Sequence, residues 1–131
     1  MKTFKLNIVT PRGIYQQLDV QMLNLRTTAG QIGILANHLP LASGVEISEM
    51  NYIDAKGERK TFAVAGGFVY VSEDDTSLIV NAIESPEEID LHRAEEAKLR
   101  AQRRLDSKDG DLLRASMALK KAITRISVKN Q

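Results

Sequence analysis

Apolar and polar residues alternate through the first two thirds of the chain, and at residue 85 the spacing changes to that of helices. Phe4, Leu6 and Ile8 share one side of an extended segment, which Thr10-Pro11-Arg12-Gly13 turns. A second strand runs through Val20, Met22 and Leu25, and Thr28-Ala29-Gly30-Gln31 leads into a third, Ile32–Leu35. Val45 and Ile47 open a fourth, which continues through Met50 and Tyr52 to the hairpin turn Asp54-Ala55-Lys56-Gly57. Thr61–Ala65 and Phe68–Val71 read as two strands separated by Gly66-Gly67, and Ser72–Thr76 turns the chain into Leu78–Ala82. Short strands with no helix between them predict a β-sandwich or small flattened barrel.

At Ser85 the chain offers two helix starts. Ser85-Pro86-Glu87-Glu88 has the form of a capping box, and Asp90 is a second N-cap candidate. The helix that follows reaches about Leu105, with Arg93, Ala97, Ala101 and Leu105 on one face and Ile89 and Ala94 beside it. Asp106–Gly110 is a turn, and Asp111 caps a second helix whose seam is Leu112, Ala115, Leu119, Ala122 and Ile126. Helices joined this closely form an antiparallel hairpin. The class is α+β: an N-terminal sandwich over residues 1–84, then a two-helix hairpin over 85–131. Each alanine of the seam buries only a methyl-sized group, at roughly 0.8 kcal/mol. The hairpin should therefore dock weakly, and residues 1–84 should fold without it.

Composition narrows the chemistry. A chain of 131 residues that is 43% hydrophobic can build one core, and 5% aromatics with no Trp means small side chains fill it. There is no Cys, which excludes disulfides and thiolate metal sites. The two histidines, His38 and His92, stand too far apart in sequence to suggest a metal centre. No apolar run approaches the roughly 18–20 residues of a membrane span, and MKTFKLNIVT lacks a signal-peptide core. The expectation is a soluble protein of a reducing, cytoplasm-like compartment.

The net charge of +1 hides an asymmetry. Residues 1–84 carry seven Lys and Arg against nine Asp and Glu, whereas residues 85–131 carry eleven against eight. Arg114, Lys120, Lys121, Arg125 and Lys129 face a single acid, Asp111, in the last helix. A solvated helix face explains this plainly; an acidic protein or phosphate partner explains it functionally.

No catalytic residue is proposed. GxSxG and HExxH are absent, and the neighbours Glu87-Glu88 and Glu95-Glu96 would point apart on a helix. Gly66-Gly67 lacks the spacing of a phosphate loop and reads as a strand bulge. Gly30–Leu41 reads as a bulged strand and tight loop, with His38 hydrogen-bonded. The arginines suit anions better. Arg93 and Arg100 share a face, Arg103-Arg104 follow, and an antiparallel hairpin would return Lys121 and Arg125 towards Arg93. Guanidinium groups give phosphate paired, charge-assisted bonds. The plain alternative is helix ion pairing, such as Glu96 with Arg100.

Three segments carry a resemblance over nearly the whole chain: GQIGILANHLPL at 30–41, AVAGGFVYV at 63–71 and IDLHRAEEAKLRAQRRL at 89–105. In this order and spacing they resemble the epsilon subunit of bacterial F-type ATP synthase. The resemblance implies a non-catalytic central-stalk subunit that binds gamma and the c-ring. It would couple rotation to catalysis on the alpha/beta hexamer and restrain ATP hydrolysis through a mobile hairpin, at the cytoplasmic face of the membrane, with which contact is indirect. No cofactor is required, and ATP is implied as a regulatory ligand. Its site would comprise Ile89, Asp90, Arg93 and Ala94 of an I/L-D-x-x-R-A motif, with Glu84, Arg100, Lys121 and Arg125. Gln31, Ile34, His38 and Leu41 would face the c-ring and gamma, and Arg114, Lys120, Lys121 and Arg125 would dock on beta. Two positions depart from the pattern: Lys121 replaces an arginine of ATP-binding relatives, and Gln31 replaces a frequent acid.

Other functions fit less well. A non-catalytic sandwich adaptor, its basic hairpin binding another acidic partner, is the alternative the composition allows. A nucleic-acid binder would place aromatics among basic strands, yet the strand region is net acidic. A membrane-surface helix would want bulky apolar residues, and these helices offer mostly alanine.

Overall fold

Phe4, Leu6 and Ile8 are buried while Lys5 and Asn7 are not, so β1 (Phe4–Thr10) carries one apolar face, as its alternation predicts. The computed structural model describes residues 2–108 and 110–131. Six strands follow β1: β2 (Gly13–Thr27), β3 (Gly30–Leu35), β4 (Leu41–Asp54), β5 (Arg59–Val71), β6 (Asp75–Val80) and the short β7 (Ile83–Glu84). β1 pairs antiparallel with β2 and parallel with β6, and the ladder continues through β5 and β4 back to β2. Five strands thus close a ring, to which β3 adds on β2 and β7 on β5. The ring encloses one apolar core, with Leu6, Ile8, Leu23, Leu25, Met50 and Leu78 fully buried.

The inward side of the sheet changes along a crease. In β5, Phe62 and Val64 point inward before it and Val69 and Val71 after it. β4 changes in step, from Val45 to Met50 and Tyr52, as do β6 and β7, from Leu78 and Val80 to Ile83. The β4–β5 register holds across the crease, with Val45 opposite Gly67 and Ile47 opposite Ala65. Gly66-Gly67 therefore neither separates two strands nor inserts an extra residue, contrary to both expectations. Gly66, at φ 95°, lets one continuous strand bend. Gly67 lies so near β6 that a Cβ there would stand 2.0 Å from the Ile79 carbonyl oxygen.

Other departures have similar causes. Met22 is only half-buried, because the β2–β4 pairing shifts between Val20 and Met22 and turns Leu23, Leu25 and Thr27 inward. β4 opens at Leu41 rather than Val45, since pairing with Val71 extends it. The strand expected over Leu78–Ala82 begins at Asp75 and ends at Val80.

Helix α1 (Leu91–Ser107) is capped by Asp90, whose carboxylate accepts the Arg93 N–H at 3.1 Å. Ser85 and Glu88 do make both bonds of a capping box, but they close an isolated turn before the helix. Helix α2 (Leu112–Lys129) is capped by Asp111. Lys108, in the left-handed region at φ 53°, ends α1. Asp109, within the expected Asp106–Gly110 turn, lies outside the described residues.

The buried residues of the hairpin are Ala94 and Ala101 on α1 and Ala115, Ala122 and Val128 on α2. The stripe is thus rotated away from Arg93, which is exposed. Leu119 and Ile126 are half-buried, and Leu112, at the elbow of the hairpin, is exposed. The pair meets the sheet through α2, which packs on β4 and β5.

Candidate functional site

Small residues let α2 approach the sheet closely. Ala63, Ala65 and Ala82 form the strand side of a cleft of about 180 Å³, and Lys121, Thr124 and Arg125 form the helix side. Glu84, on β7, also lines it. Arg125 reaches it with two prongs: Nε lies 2.8 Å from Oε1, and Nη2 donates to Oε2 at 3.3 Å. The buried Nε is close to its partner but not aligned for a hydrogen bond, so one guanidinium donor is left poorly satisfied. Both side chains are about 70% removed from solvent, at 28% and 30% exposure. Their pairing is thus less screened than that of a surface pair, which contributes about 0.2–1 kcal/mol.

Further ties hold the end of α2. Val128 packs with Ile89 and Ala63 in a small second core. The Lys129 ammonium donates to the Pro86 carbonyl at 2.8 Å, and the Gln131 amide donates to Glu49. Within the 85–89 linker, Glu88 Oε1 accepts the Tyr15 hydroxyl and also the Ser85 N–H at 2.9 Å. Burial and the neighbouring carboxylate push the Tyr15 phenol well above its usual range. Burial pushes the Glu88 carboxyl up, but the Tyr15 and Ser85 donors outweigh it and hold the pKa below the ordinary value.

The residues singled out from the sequence fall into separate groups. Glu84, Lys121 and Arg125 share the cleft. Ile89 is core, Ala94 lies in the helix seam and Asp90 spends its carboxylate on the cap. Arg93 and Arg100 are exposed and do not line the cleft wall. Among the described residues, Arg125 pairs with Glu84, and Glu96 pairs with His92 at 2.9 Å rather than with Arg100. Arg114 and Lys120 are exposed on α2.

The Gly30–Leu41 segment needs one correction. Ile34, expected to face the c-ring and gamma, is 0% exposed, because it sits opposite Leu23 in the β2–β3 ladder and enters the core. Gln31 is exposed, Leu41 and His38 are half-buried, and His38 Nδ1 lies 2.6 Å from the Leu39 carbonyl. The apolar side chains that do reach solvent here are Leu35 and Leu39.

Sequence reasoning missed a second exposed surface. Phe68, Tyr70 and Ile79 are each about half exposed, with Phe68 opposite Ile79 in the ladder and stacked on Tyr70 at 6.5 Å. The signal was present in AVAGGFVYV: once the crease reverses the inward side, Phe68 and Tyr70 must face out.

Residues 3–86 match the family model described as ATP synthase, Delta/Epsilon chain, beta-sandwich domain, and residues 87–130 match its long alpha-helix domain. The chain belongs to the ATP synthase delta/epsilon family. It is 44% identical to the ATP synthase epsilon chain of Clostridium novyi, over 97% of this chain and 98% of that one. Identity to the Lacticaseibacillus casei epsilon chain is 41%, over 95% and 92%. The fold is similar to that of a chain in the Euglena gracilis mitochondrial ATP synthase (OSCP/F1/c-ring), with a TM-score of 0.86 and 19% identity, covering 98% of this chain and 82% of that chain. A chain of the Tetrahymena thermophila enzyme, from its central stalk and c-ring, gives a TM-score of 0.64 at 16% identity over 98% and 95%. The family's two parts, sandwich and helices, both run through this chain. Among the described residues no helix is long and apolar enough to cross a membrane, and no group of potential metal ligands occurs.

Proposed function

We propose that this chain is a non-catalytic central-stalk subunit of a proton-translocating ATP synthase. In this reading residues 1–84 bind gamma and the c-ring, and residues 85–131 form a regulatory hairpin that responds to ATP. The subunit is peripheral, on the cytoplasmic face of the membrane, and reaches the membrane only through the complex. Full-length similarity to epsilon chains supports the placement, and the exposed Phe68–Tyr70–Ile79 surface is an apolar patch of the kind that marks a protein contact. Leu39, His38, Gln31 and Leu41 form the loop offered to the ring.

The observation that carries the regulatory part is the Arg125–Glu84 tie across the cleft. It joins the end of the hairpin to the sheet, and the guanidinium donors it does not use are left, with Lys121, for a polyphosphate. ATP would take Arg125 and Lys121 as phosphate partners, with Arg93 and Arg100 added from α1, and its anionic charge would hold these cations together. The cleft is smaller than the roughly 300–1,000 Å³ of ordinary ligand pockets, so part of the nucleotide would lie outside it. Lys121 offers a point charge where an arginine would bind in two prongs. Calorimetry of ATP binding to the full chain is expected to show Arg93→Ala losing tenfold or more in affinity, from about 1.5–3 kcal/mol per charged hydrogen bond. Lys121→Ala should lose less. Equal affinities for wild type and Arg93→Ala would remove Arg93 from the site.

Without ATP, α2 would leave the sheet and present Arg114, Lys120, Lys121 and Arg125 to an acidic segment of beta. A ligand that binds the compact state alone shifts the balance by about 2.7 kcal/mol at a hundredfold excess over Kd. High ATP therefore relieves inhibition, and salt weakens the inhibitory docking. In reconstituted complexes, Lys120→Glu, Lys121→Glu and Arg125→Glu together should abolish restraint of hydrolysis at low ATP. Restraint as strong as that of wild type would exclude the electrostatic mechanism.

A further inference from the structure

If the hairpin moves, the chain must bend somewhere between β7 and α1, and the groups around residues 85–90 distinguish the possible places. β7 is fixed to β5, with Ile83 buried, so the last sheet-bound residue is Glu84. Ser85–Glu88 is a closed turn in its own right: the Glu88 N–H donates to the Ser85 carbonyl at 3.1 Å, and the Ser85 N–H donates to the Glu88 carboxylate. That same carboxylate oxygen accepts the Tyr15 hydroxyl. Tyr15 belongs to β2 and packs edge-on against Phe62 of the main core, with ring centres 6.2 Å apart. None of these bonds involves a residue of α1 or α2.

The next two residues are held differently. Ile89 is buried, but it clusters with Ala63 on the sheet and Val128 on α2, so it loses the Val128 side of its cover when α2 departs. Asp90 spends its carboxylate on the α1 cap and travels with that helix.

We infer that the pivot of the hairpin is the Ile89–Asp90 step, and that Tyr15, through Glu88, clamps the linker to the sandwich so that Ser85–Glu88 stays behind. Tyr15 and Glu88 are thereby positioning residues for the regulatory movement, and the inference rests on the mobile-hairpin reading above. It has a consequence for the docked state. Arg125 and Lys129 leave together, whereas their partners Glu84 and Pro86 keep their places as a fixed receiving site.

The chain lacks Cys, so spin labels can be introduced at chosen exposed positions. One pair joins Glu73→Cys on the sandwich to Glu87→Cys on the linker, and the other joins Glu73→Cys to Lys98→Cys on α1. The hairpin is released in the full chain by Arg125→Glu with Val128→Asp, which sets like charge against Glu84 and a carboxylate against Ala63. Pulsed dipolar distances should broaden and shift for the 73–98 pair while the 73–87 pair keeps the single narrow distance of the docked chain. Adding Tyr15→Phe, which keeps the ring on Phe62, or Glu88→Ala, which leaves Tyr15 untouched, should broaden the 73–87 pair as well. Broadening of both pairs with Tyr15 and Glu88 intact would put the pivot before Ser85 and overturn the clamp, as would a 73–87 distance unmoved by either clamp variant. A 73–98 distance that stays narrow after release would instead sink the mobile hairpin itself, and the pivot with it.

Discussion

Ile34→Asp should leave the β-domain unfolded rather than merely weaken its docking. Ile34 is fully enclosed and sits opposite the equally buried Leu23. Removing an apolar side chain of this size from a packed core costs about 2–5 kcal/mol. An unpaired carboxylate in its place adds a desolvation penalty of at least a few kcal/mol, unless it binds a proton instead. Together these approach the whole stability of a typical domain, about 5–15 kcal/mol. Urea denaturation followed by circular dichroism reads the outcome directly. A folded variant with an unchanged midpoint and poorer stalk assembly would mean that Ile34 faces solvent. The docking role proposed for the loop is better probed at Leu39, the most exposed large apolar residue of that segment.

Gly67→Ala should be nearly as damaging, although it adds one methyl group. That group would lie 2.0 Å from the Ile79 carbonyl oxygen and 2.7 Å from the Val80 Cα. Both are backbone atoms, so no side-chain rotation relieves the clash. β5 would have to move off β6, breaking ladder bonds and the Asn81 N–H bond to the Gly66 carbonyl. The expected loss is roughly 3–5 kcal/mol, the range of the severest single substitutions. Gly57→Ala, whose added Cβ would meet nothing within 4 Å, provides the comparison, since it suffers only from its positive φ. If thermal melting gave Gly67→Ala the same small shift as Gly57→Ala, the close approach of β5 and β6 would be wrong.

These two cases show what the sequence could and could not convey. Alternation was sufficient for β1, for the turn at Gly57 and for the change to helical spacing at residue 85, because each depends on neighbours in the chain. It failed at Gly66-Gly67, where the inward side reverses through a bend shared by paired strands. It failed at Ile34, because the segment IGIL supports either facing until its partner is known to be Leu23. Asp90 was a candidate cap, but only the turn closed by Ser85 and Glu88 shows why the helix starts there. In the helices, local spacing marked Ala115 and Ala122 correctly. Val128 was missed because what covers it, Ile89 and Ala63, lies at least 39 positions away in the numbering. The cleft was partly legible: Glu84, Lys121 and Arg125 were linked by resemblance, while the direct tie between Arg125 and Glu84 needed coordinates. Phe68 and Tyr70 went unnoticed as a surface for the same reason as the crease.

The ring of strands also dictates an order of events in folding. It is sealed by the parallel pairing of β1 with β6, which sets Lys5 beside Asp75. Everything between must be roughly arranged before that last ladder forms, and bringing such distant segments together carries a loop-closure cost. Domains dominated by non-local strand pairs fold in milliseconds to seconds, whereas a helix forms in about a microsecond. The two helices can therefore flicker into shape long before β5 offers Ala63 and Ala65 as a landing place. A refolding chain passes through an interval in which its helical arm exists without a partner surface, and Leu99, Leu113 and Ile123, which stay exposed even in the finished fold, face water throughout it.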